Sequence, residues 1–149
     1  MQPTEFESLG WPQIDQVGFV VRDIDQAVAS YAPAFGAFKV ADAELREVDY
    51  RGRQVDCRLR IATARSGPVE IELIELVEGD AIYREFLEQG REGPHHVRFS
   101  IDDLDASVAA AGKVGLHPVF GKRFSPTVAF VYLEATDGML FELLEIRAG

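Results

Sequence analysis

The sequence has a single cysteine, Cys57, so it cannot form a disulfide within one chain. That scarcity fits a reducing compartment, and we expect a cytoplasmic location. Long apolar runs are also missing, because charged residues interrupt each hydrophobic stretch before it reaches membrane-spanning length. The N-terminal residues, MQPTEFESLGWPQ, have neither a basic head nor an apolar segment, which argues against a signal peptide. We therefore expect no membrane association.

Basic residues are scarce relative to acidic ones. Fifteen Lys and Arg against 25 Asp and Glu give a formal net charge of −10 at pH 7. Phosphate backbones and anionic lipid surfaces repel such a chain, so neither nucleic acid nor a membrane is an expected partner. The 149 residues, 47% of them hydrophobic, are enough for one domain over residues 1–149 with a substantial core.

The main positive feature is an internal repeat. Residues 14–31 (IDQVGFVVRDIDQAVASY) align with 94–111 (PHHVRFSIDDLDASVAAA) at an offset of 80 positions, and residues 69–76 (VEIELIEL) align with 139–146 (MLFELLEI) at an offset of 70. These offsets place Gln16 on His96 and Glu72 on Glu142. All four residue types can bind metal, and duplication would bring equivalent positions together near a pseudo-twofold axis.

Hydrophobic periodicity predicts a strand, a helix and three strands in each repeat. Module 1, about residues 13–76, has strands at 13–21, 38–41, 55–64 and 69–76, and a helix that begins after Asp23 and ends at Pro33 and Gly36. A linking helix at about 80–90 leads to module 2, about 94–147, with strands at 95–101, 118–120, 128–134 and 139–146 and a helix at 103–113. Residues 1–12 are interpreted as a loose or docking arm. The predicted fold is α+β: two pseudo-repeated βαβββ modules forming a curved mixed β-sheet cup, with helices on its outer face.

Alternation along each strand separates an apolar face, which the helices would cover, from a polar face that would line the cup. The polar face carries Gln16, Arg58, Arg60, Glu70, Glu72, His96, Arg98, Tyr132 and Glu142. Two interpretations stay open for most of these residues. The three arginines would clamp a substrate carboxylate or a CoA phosphate, or they would pair with Glu70 or Glu72. Tyr132 would line the pocket, or it would pack in the core.

His96 and Glu142 lie in strands with an apolar, buried character. An unpaired polar group in such a place costs roughly 1–3 kcal/mol, and an unpaired carboxylate there needs a cation or a proton. A metal ion would remove this penalty for the whole set, whereas a solvated sheet face would never incur it. The residues alone leave both possibilities open.

The duplicated unit, its openings IDQVGFVVRDID and HHVRFSIDDLD, and its closing strands EIELIE and FELLEI resemble the vicinal oxygen chelate superfamily. That superfamily includes glyoxalase I, methylmalonyl-CoA epimerase, extradiol dioxygenases and bleomycin-resistance proteins, and the resemblance runs from Gln13 to Ile146. It implies that the first and last strands of each module supply metal ligands, at Gln16, Glu72, His96 and Glu142. They would hold one divalent ion per site, zinc, nickel, cobalt or manganese. The resemblance also implies a homodimer.

The Gln, Glu, His, Glu set is similar to the zinc form of glyoxalase I. That similarity makes Glu142 the proton-shuttling base and has Glu72 serve the other face of the substrate. The implied activity is that of a metal-dependent lyase, isomerase or epimerase, like glyoxalase I or methylmalonyl-CoA epimerase. It would move a proton next to a thioester or an α-oxygenated carbonyl of a small-molecule substrate.

This sequence differs from these relatives at several positions, and the differences limit which substrates are expected. Val20 and Leu76 stand where glutathione-binding glyoxalases carry arginine and asparagine, which argues against glutathione. The epimerases carry a glutamate shortly before a glycine, for which the segment EVDYRGRQVD offers Glu47 or Asp49.

Two other activities compete on the same fold. The main alternative is a non-enzymatic protein that binds a small molecule or confers resistance. An extradiol-type dioxygenase is disfavoured, because the neutral Gln16 amide is a poor iron ligand compared with imidazole.

Overall fold

The computed structural model describes residues 7–148. Its strands are β1 (Gln16–Val20), β2 (Lys39–Tyr50), β3 (Arg53–Ser66), β4 (Val69–Gly79), β5 (Gly93–Ile101), β6 (His117–Ser125), β7 (Val128–Glu134) and β8 (Leu140–Ile146). Its helices are α1 (Ile24–Phe35), α2 (Ile82–Glu88) and α3 (Leu104–Gly112). No helix in the described range has both the length and the apolar composition needed to cross a bilayer. The first half of the predicted arm, residues 1–6, lies outside the described residues, whereas Trp11 packs against Phe99.

The strands form one mixed sheet that closes into a barrel in the order β1-β4-β3-β2-β6-β7-β8-β5. β1 runs parallel to β4, β5 runs parallel to β8, and the remaining neighbours are antiparallel. The predicted α+β class is confirmed. A curved sheet forming a cup was predicted, and the observed sheet closes into a barrel because β2 and β6 pair.

The junction of β2 and β6 is the weakest ladder in this barrel. Within the described part of the chain, these strands share two residue pairs, Asp49 with Gly121 and Tyr50 with Phe120. By contrast, β2 pairs with β3 along almost its whole length. Beyond the two pairs, the Lys122 side chain donates to the carbonyl of Arg46 across the gap. We call this junction the seam.

Two helices begin with matching caps. The Asp23 carboxylate accepts from the Gln26 backbone N–H, and the Asp103 carboxylate accepts from that of Ala106, each at 3.1 Å. These bonds satisfy amide groups that the first turn of a helix leaves free. The predicted helix starts at Asp23 and Asp103 are therefore confirmed.

A second carboxylate joins each of these helices to the sheet. Glu75 of β4 accepts from the backbone N–H of Ile24, and Glu145 of β8 accepts from that of Leu104, each at 2.8 Å. Both glutamates lie three residues after a predicted metal ligand. Because side chains alternate along a strand, this odd spacing sends the ligand and the cap to opposite faces.

The core has three parts. One fills the barrel and includes Val20, Leu59, Ile74, Phe120 and Tyr132. A second lies under α3 and a third under α1, where Leu73 packs against Ile24. Apolar side chains of β1, β4, β7 and β8 pack under α1 and α3, as alternation predicts. In β3 the predicted apolar face, with Cys57 and Leu59, instead fills the barrel, which also holds the buried polar side chains of Gln16, His96 and Glu142.

Several predicted element boundaries differ from the observed ones, and those of β2 and β6 differ most. β2 has twelve residues, where a short strand at 38–41 was expected, and β6 has nine, where 118–120 was expected. Exposed polar residues over much of β2 hide its alternation, and pairing with β3 is what extends it.

Pro33 lies inside α1, which continues to Phe35 and is closed by Gly36. Pro33 has no N–H to donate to the Ala29 carbonyl, so the last turn of α1 has one backbone hydrogen bond fewer than a regular helix.

Candidate metal and active site

The four side chains that the repeat singled out come from the four neighbouring strands β4, β1, β5 and β8. His96 is fully buried and lies opposite Gly18 in the β1–β5 ladder. A Cβ atom at position 18 would come within 2.2 Å of His96 Cε1 and 2.3 Å of Nε2. The missing side chain at position 18 therefore makes the room that the imidazole occupies.

Two carboxylates approach the same nitrogen of His96. Its Nε2 lies 3.3 Å from Glu142 Oε1 and 3.9 Å from Glu72 Oε1. All three side chains are buried or nearly so. This arrangement places three atoms that can bind a metal ion, one nitrogen and two oxygens, around one point inside the barrel.

Gln16 adds a fourth side chain that can bind a metal ion, through its amide oxygen. Its Nε2 donates to Glu70 Oε1 at 2.7 Å, which fixes the orientation of the amide. Its Oε1 is buried and accepts no hydrogen bond from the described residues. A buried acceptor without a donor is costly, and a cation would satisfy it.

Burial dominates the electrostatics of the two carboxylates. It raises the pKa of Glu72 to about 8, with a further contribution from the nearby Glu142 carboxylate. Burial also raises the pKa of Glu142 to about 8, against the opposing effect of the Arg98 guanidinium. Burial lowers the pKa of His96 to about 3, so the imidazole is neutral at pH 7. None of the four predicted ligands therefore carries a positive charge at pH 7, and Arg98 is the cation that acts on both carboxylates.

The four side chains suit a divalent metal ion in their chemistry. Ligands about 2.0–2.2 Å from a shared ion lie about 3–4 Å from one another, which is the range of the His96–carboxylate distances. A ligating histidine must be neutral, as burial makes His96. Among residues 7–148, no group of three or more His, Cys, Asp or Glu side chains is arranged so that it could hold a metal ion, so binding would require these side chains to rearrange around the ion.

A cavity of about 160 Å³ adjoins these donors inside the barrel. Three of the four predicted ligands, Gln16, Glu72 and Glu142, line it together with Arg98 and Tyr132. The rest of its wall is apolar and consists of Ala43, Leu45, Leu59, Ile61, Ile74, Phe124, Phe130 and Leu144, together with Tyr83. Polar groups therefore gather at one side of an otherwise aliphatic and aromatic space.

Two tyrosines extend the polar side of the cavity. Tyr83 reaches in from α2, and its hydroxyl lies 2.7 Å from the Tyr132 hydroxyl. The Tyr132 hydroxyl also lies 3.4 Å from His96 Nε2. Burial raises the pKa of both tyrosines well above the ordinary value, so both remain protonated donors.

The predicted substrate-binding arginines divide into two groups. Arg98 lines the cavity, and its Nε donates to Asp15 Oδ1 at 2.8 Å. Arg58 and Arg60 lie on the outer face of β3, so their predicted position on the inner face is wrong. Arg58 pairs with Glu78 at 2.8 Å, and Arg60 lies 3.5 Å from Asp25. The inner positions of β3 at this level belong to Leu59 and Ile61.

Sequence reasoning missed several residues of the site. Tyr83 lies in a helix whose own pattern does not show that one side chain enters the barrel. Ala43 and Leu45 were missed because β2 was predicted too short. Glu47 and Asp49, the offered substitutes for the epimerase glutamate, line a separate surface groove.

The barrel, with Gln16, Glu72, His96 and Glu142 on four neighbouring strands, matches the arrangement expected of the vicinal oxygen chelate superfamily. The model of the Glyoxalase/Bleomycin resistance protein/Dioxygenase superfamily matches residues 15–130. The chain belongs to this superfamily, and the predicted membership is confirmed.

Two known protein sequences are similar to this chain over most of their length. The chain is 28% identical to a 2-epi-5-epi-valiolone epimerase from Actinomyces sp. over 155 residues, covering 91% of this chain and 80% of that protein. It is 26% identical over 137 residues to the uncharacterised protein YqjC of Bacillus subtilis, covering 89% of this chain and 91% of that protein.

Solved structures of methylmalonyl-CoA epimerases share the fold. The Mycobacterium tuberculosis enzyme aligns with a TM-score of 0.65 at 20% identity, covering 93% of this chain and 90% of that chain. A variant of the Streptomyces coelicolor enzyme in complex with 2-nitronate-propionyl-CoA aligns with a TM-score of 0.65 at 25% identity, covering 93% and 96%. Epimerases thus recur among the relatives in both sequence and structure.

Proposed function

We propose that this chain is a divalent-metal-dependent epimerase or isomerase that moves a proton at the carbon next to a thioester carbonyl. The observation that carries the proposal is the convergence of Glu72 and Glu142 on His96 Nε2 beside an apolar cavity. The relatives named as epimerases support the reaction class. All four donors come from one chain, so a second subunit need not complete the site.

Gln16, Glu72, His96 and Glu142 would hold the metal ion. When bound, a divalent ion supplies Lewis-acid stabilisation of the negative charge that develops on a carbonyl oxygen. Zinc, nickel, cobalt and manganese all suit a site with two carboxylates, one imidazole and one amide oxygen. The unsatisfied Gln16 Oε1 supports its role as the fourth donor.

Glu142 is the proposed base, and Glu72 serves the opposite face of the substrate. A base must be ionised before it takes a proton, and a bound divalent ion would favour the ionised form of Glu142, whose pKa burial raises to about 8 in the metal-free protein. The Tyr132 hydroxyl, held by Tyr83, would donate to a substrate oxygen. Arg98, fixed by Asp15, would balance the charge of two glutamates near a negatively charged intermediate.

The cavity wall favours a substrate with a small aliphatic body. A densely hydroxylated molecule would leave hydroxyl groups against leucine and isoleucine side chains, where each unpaired group costs roughly 1–3 kcal/mol. An acyl thioester with a short chain places its carbonyl at the polar side and its methyl groups against the apolar wall. We therefore place short branched or unbranched acyl thioesters ahead of polyhydroxylated substrates.

Hydrogen exchange at the α-carbon tests the proposal directly. Protein loaded with zinc or cobalt is incubated with methylmalonyl-CoA or propionyl-CoA in D₂O, and incorporation of deuterium is followed by mass spectrometry. Glu142→Gln is expected to slow exchange by at least about 100-fold, since a positioned general base contributes 10²–10⁴-fold. Glu78→Gln, the same change on the exposed face of β4, is the matched control and should exchange at the wild-type rate.

Two results would overturn the proposal. Wild-type exchange by Glu142→Gln would remove Glu142 as the base. Ligand binding without α-exchange on any tested thioester would favour the non-enzymatic binding protein.

Metal content tests the cofactor separately. Protein purified without chelators or a histidine tag is expected to hold about one divalent ion per chain by elemental mass spectrometry. His96→Ala should lose the ion, whereas His117→Ala, a change at an exposed position, should keep it. Failure of wild-type protein to take up added zinc, nickel, cobalt or manganese would contradict the metal site.

A further inference from the structure

The two adjacent histidines of β5 contact each other through the same ring atom. His95 Nδ1 lies 2.9 Å from His96 Nδ1, and both side chains are buried. A hydrogen bond between two imidazole nitrogens requires one to carry the hydrogen and the other to present a lone pair. This contact therefore fixes the tautomer of each ring relative to the other.

Aromatic side chains hold the His95 ring in place. The Phe86 ring lies edge-on, with centroids 5.0 Å apart at 84°, and the Tyr83 ring lies 5.5 Å away. Both belong to α2, which packs over this end of the barrel. The His95 ring thus has little freedom to turn its Nδ1 away from His96.

The surroundings of the two outer nitrogens indicate which ring donates. His96 Nε2 lies 3.3 Å from Glu142 Oε1 and 3.4 Å from the Tyr132 hydroxyl. The hydroxyl can donate to a lone pair on Nε2, and so can the Glu142 carboxyl in its protonated form. His95 lines an outer groove that also carries the carboxylates of Glu85 and Glu134 and the guanidinium of Arg91. Carboxylates on that side favour a hydrogen on the outer nitrogen of His95, which leaves its Nδ1 as the acceptor.

We propose that His95 is a positioning residue: it accepts the Nδ1–H of His96 and thereby keeps the His96 Nε2 lone pair available beside Glu72 and Glu142. A histidine that binds a metal through Nε2 needs this tautomer, and a partner on its other nitrogen orients the ring. The part of the inference that concerns metal affinity rests on the proposed function. The tautomer itself does not.

Nitrogen NMR of the metal-free protein tests the tautomer. The chain has only three histidines, so long-range ¹H–¹⁵N correlation spectra of ¹⁵N-labelled protein with a chelator at pH 7 are readily assigned with His117→Gln and His96→Gln variants. The expected spectrum shows His96 with a protonated Nδ1 and an unprotonated Nε2. A protonated Nε2 on His96 in the wild-type protein would overturn the proposal.

Two substitutions separate the hydrogen bond from ring packing. His95→Phe keeps an aromatic ring but removes the acceptor, so it should shift His96 toward the Nε2–H tautomer. His95→Gln offers an amide oxygen as acceptor and should restore the wild-type tautomer at least in part. An unchanged His96 tautomer in His95→Phe would show that His95 does not set it. Circular dichroism of both variants checks that they fold.

Cobalt titration, followed by visible absorbance, measures the consequence for the site. His95→Phe is expected to weaken cobalt binding 10–100-fold, the usual effect of losing an outer partner of a ligating histidine, with His95→Gln in between. Equal affinity of His95→Phe and wild-type protein would overturn the positioning role. If wild-type protein binds no cobalt, the proposed metal function fails, while the NMR result still decides the tautomer.

Discussion

Single residues set the geometry around His96, and Gly18 is the clearest case. It faces His96 across the β1–β5 ladder, and the imidazole fills the volume that a side chain there would take. The position is defined by space rather than by backbone conformation. The absence of a side chain at position 18 of β1 therefore controls the position of the His96 ring on β5.

We predict that Gly18→Ala displaces His96. The added Cβ would overlap the ring at 2.2–2.3 Å, so the imidazole or the strand must move. Overpacking of this kind costs about 1–3 kcal/mol of unfolding free energy, measured by urea denaturation. Cobalt affinity should fall at least tenfold with it. Gly112→Ala is the control, because its Cβ would meet no atom within 4 Å. Wild-type cobalt affinity in Gly18→Ala would contradict this account.

Residue-scale prediction from sequence succeeded where the repeat carried the information. The offsets of 80 and 70 marked Gln16, Glu72, His96 and Glu142, and the structure places all four on adjacent strands. Arg58 and Arg60 were misplaced, because the alternation of β3 was assigned to the wrong face. Tyr83 could not have been found, since its position in the barrel depends on how α2 packs.

At the scale of elements, β4 and β8 each anchor a helix as well as a ligand. Glu75 and Glu145 accept from the first turns of α1 and α3, next to the caps at Asp23 and Asp103. Glu145 also pairs with Arg123 and Arg147, and the hydrogen bond from Arg123 is the largest cause that lowers its pKa to about 2. The strand that carries a proposed site carboxylate therefore also fixes the adjacent helix.

We predict that Glu75→Ala lowers the free energy of unfolding by about 1 kcal/mol, the usual effect of removing a helix cap. Glu145→Ala should lower Tm more than Glu75→Ala, because it also leaves two arginines without their carboxylate. Thermal unfolding followed by circular dichroism measures both. Glu78→Ala, which removes an exposed ion pair, should change stability by less than about 0.5 kcal/mol. Equal Tm values for all three variants would contradict the capping role.

Element prediction was accurate for strands with a clear apolar alternation. β7 was predicted with its observed bounds, and the helix caps were visible as Asp23 and Asp103. β2 was not, because most of its residues are exposed and polar. Its length comes from pairing with β3, which no local pattern in the strand shows.

At the scale of the whole molecule, stability should depend on pH through the two site carboxylates. Their pKa is about 8 in the folded protein and about 4.5 when unfolded, so the folded state binds more protons between these values. Their contribution to stability is therefore fully present below pH 4.5 and is lost as the pH rises through 8. We predict that metal-free protein becomes less stable to urea from pH 6 to pH 9.

Two comparisons isolate this effect. The double variant Glu72→Gln, Glu142→Gln removes both titrating groups, and its stability should vary less with pH over that range. Saturating zinc should stabilise the wild-type protein most at high pH, because the metal binds the ionised carboxylates. A wild-type profile that matches the double variant would show that these groups are not raised in pKa.

The seam between β2 and β6 has a consequence for kinetics. Ala43 and Leu45 on β2 and Phe124 on β6 line the cavity beside the part of the seam that has no backbone pairing. A small molecule arriving there breaks no ladder hydrogen bond, while the donors stand on the paired strands opposite. Residence time would then depend on Lys122, whose side chain bridges the gap without lining the cavity. Lys122→Ala should alter the association and dissociation rates together and leave the equilibrium affinity nearly constant.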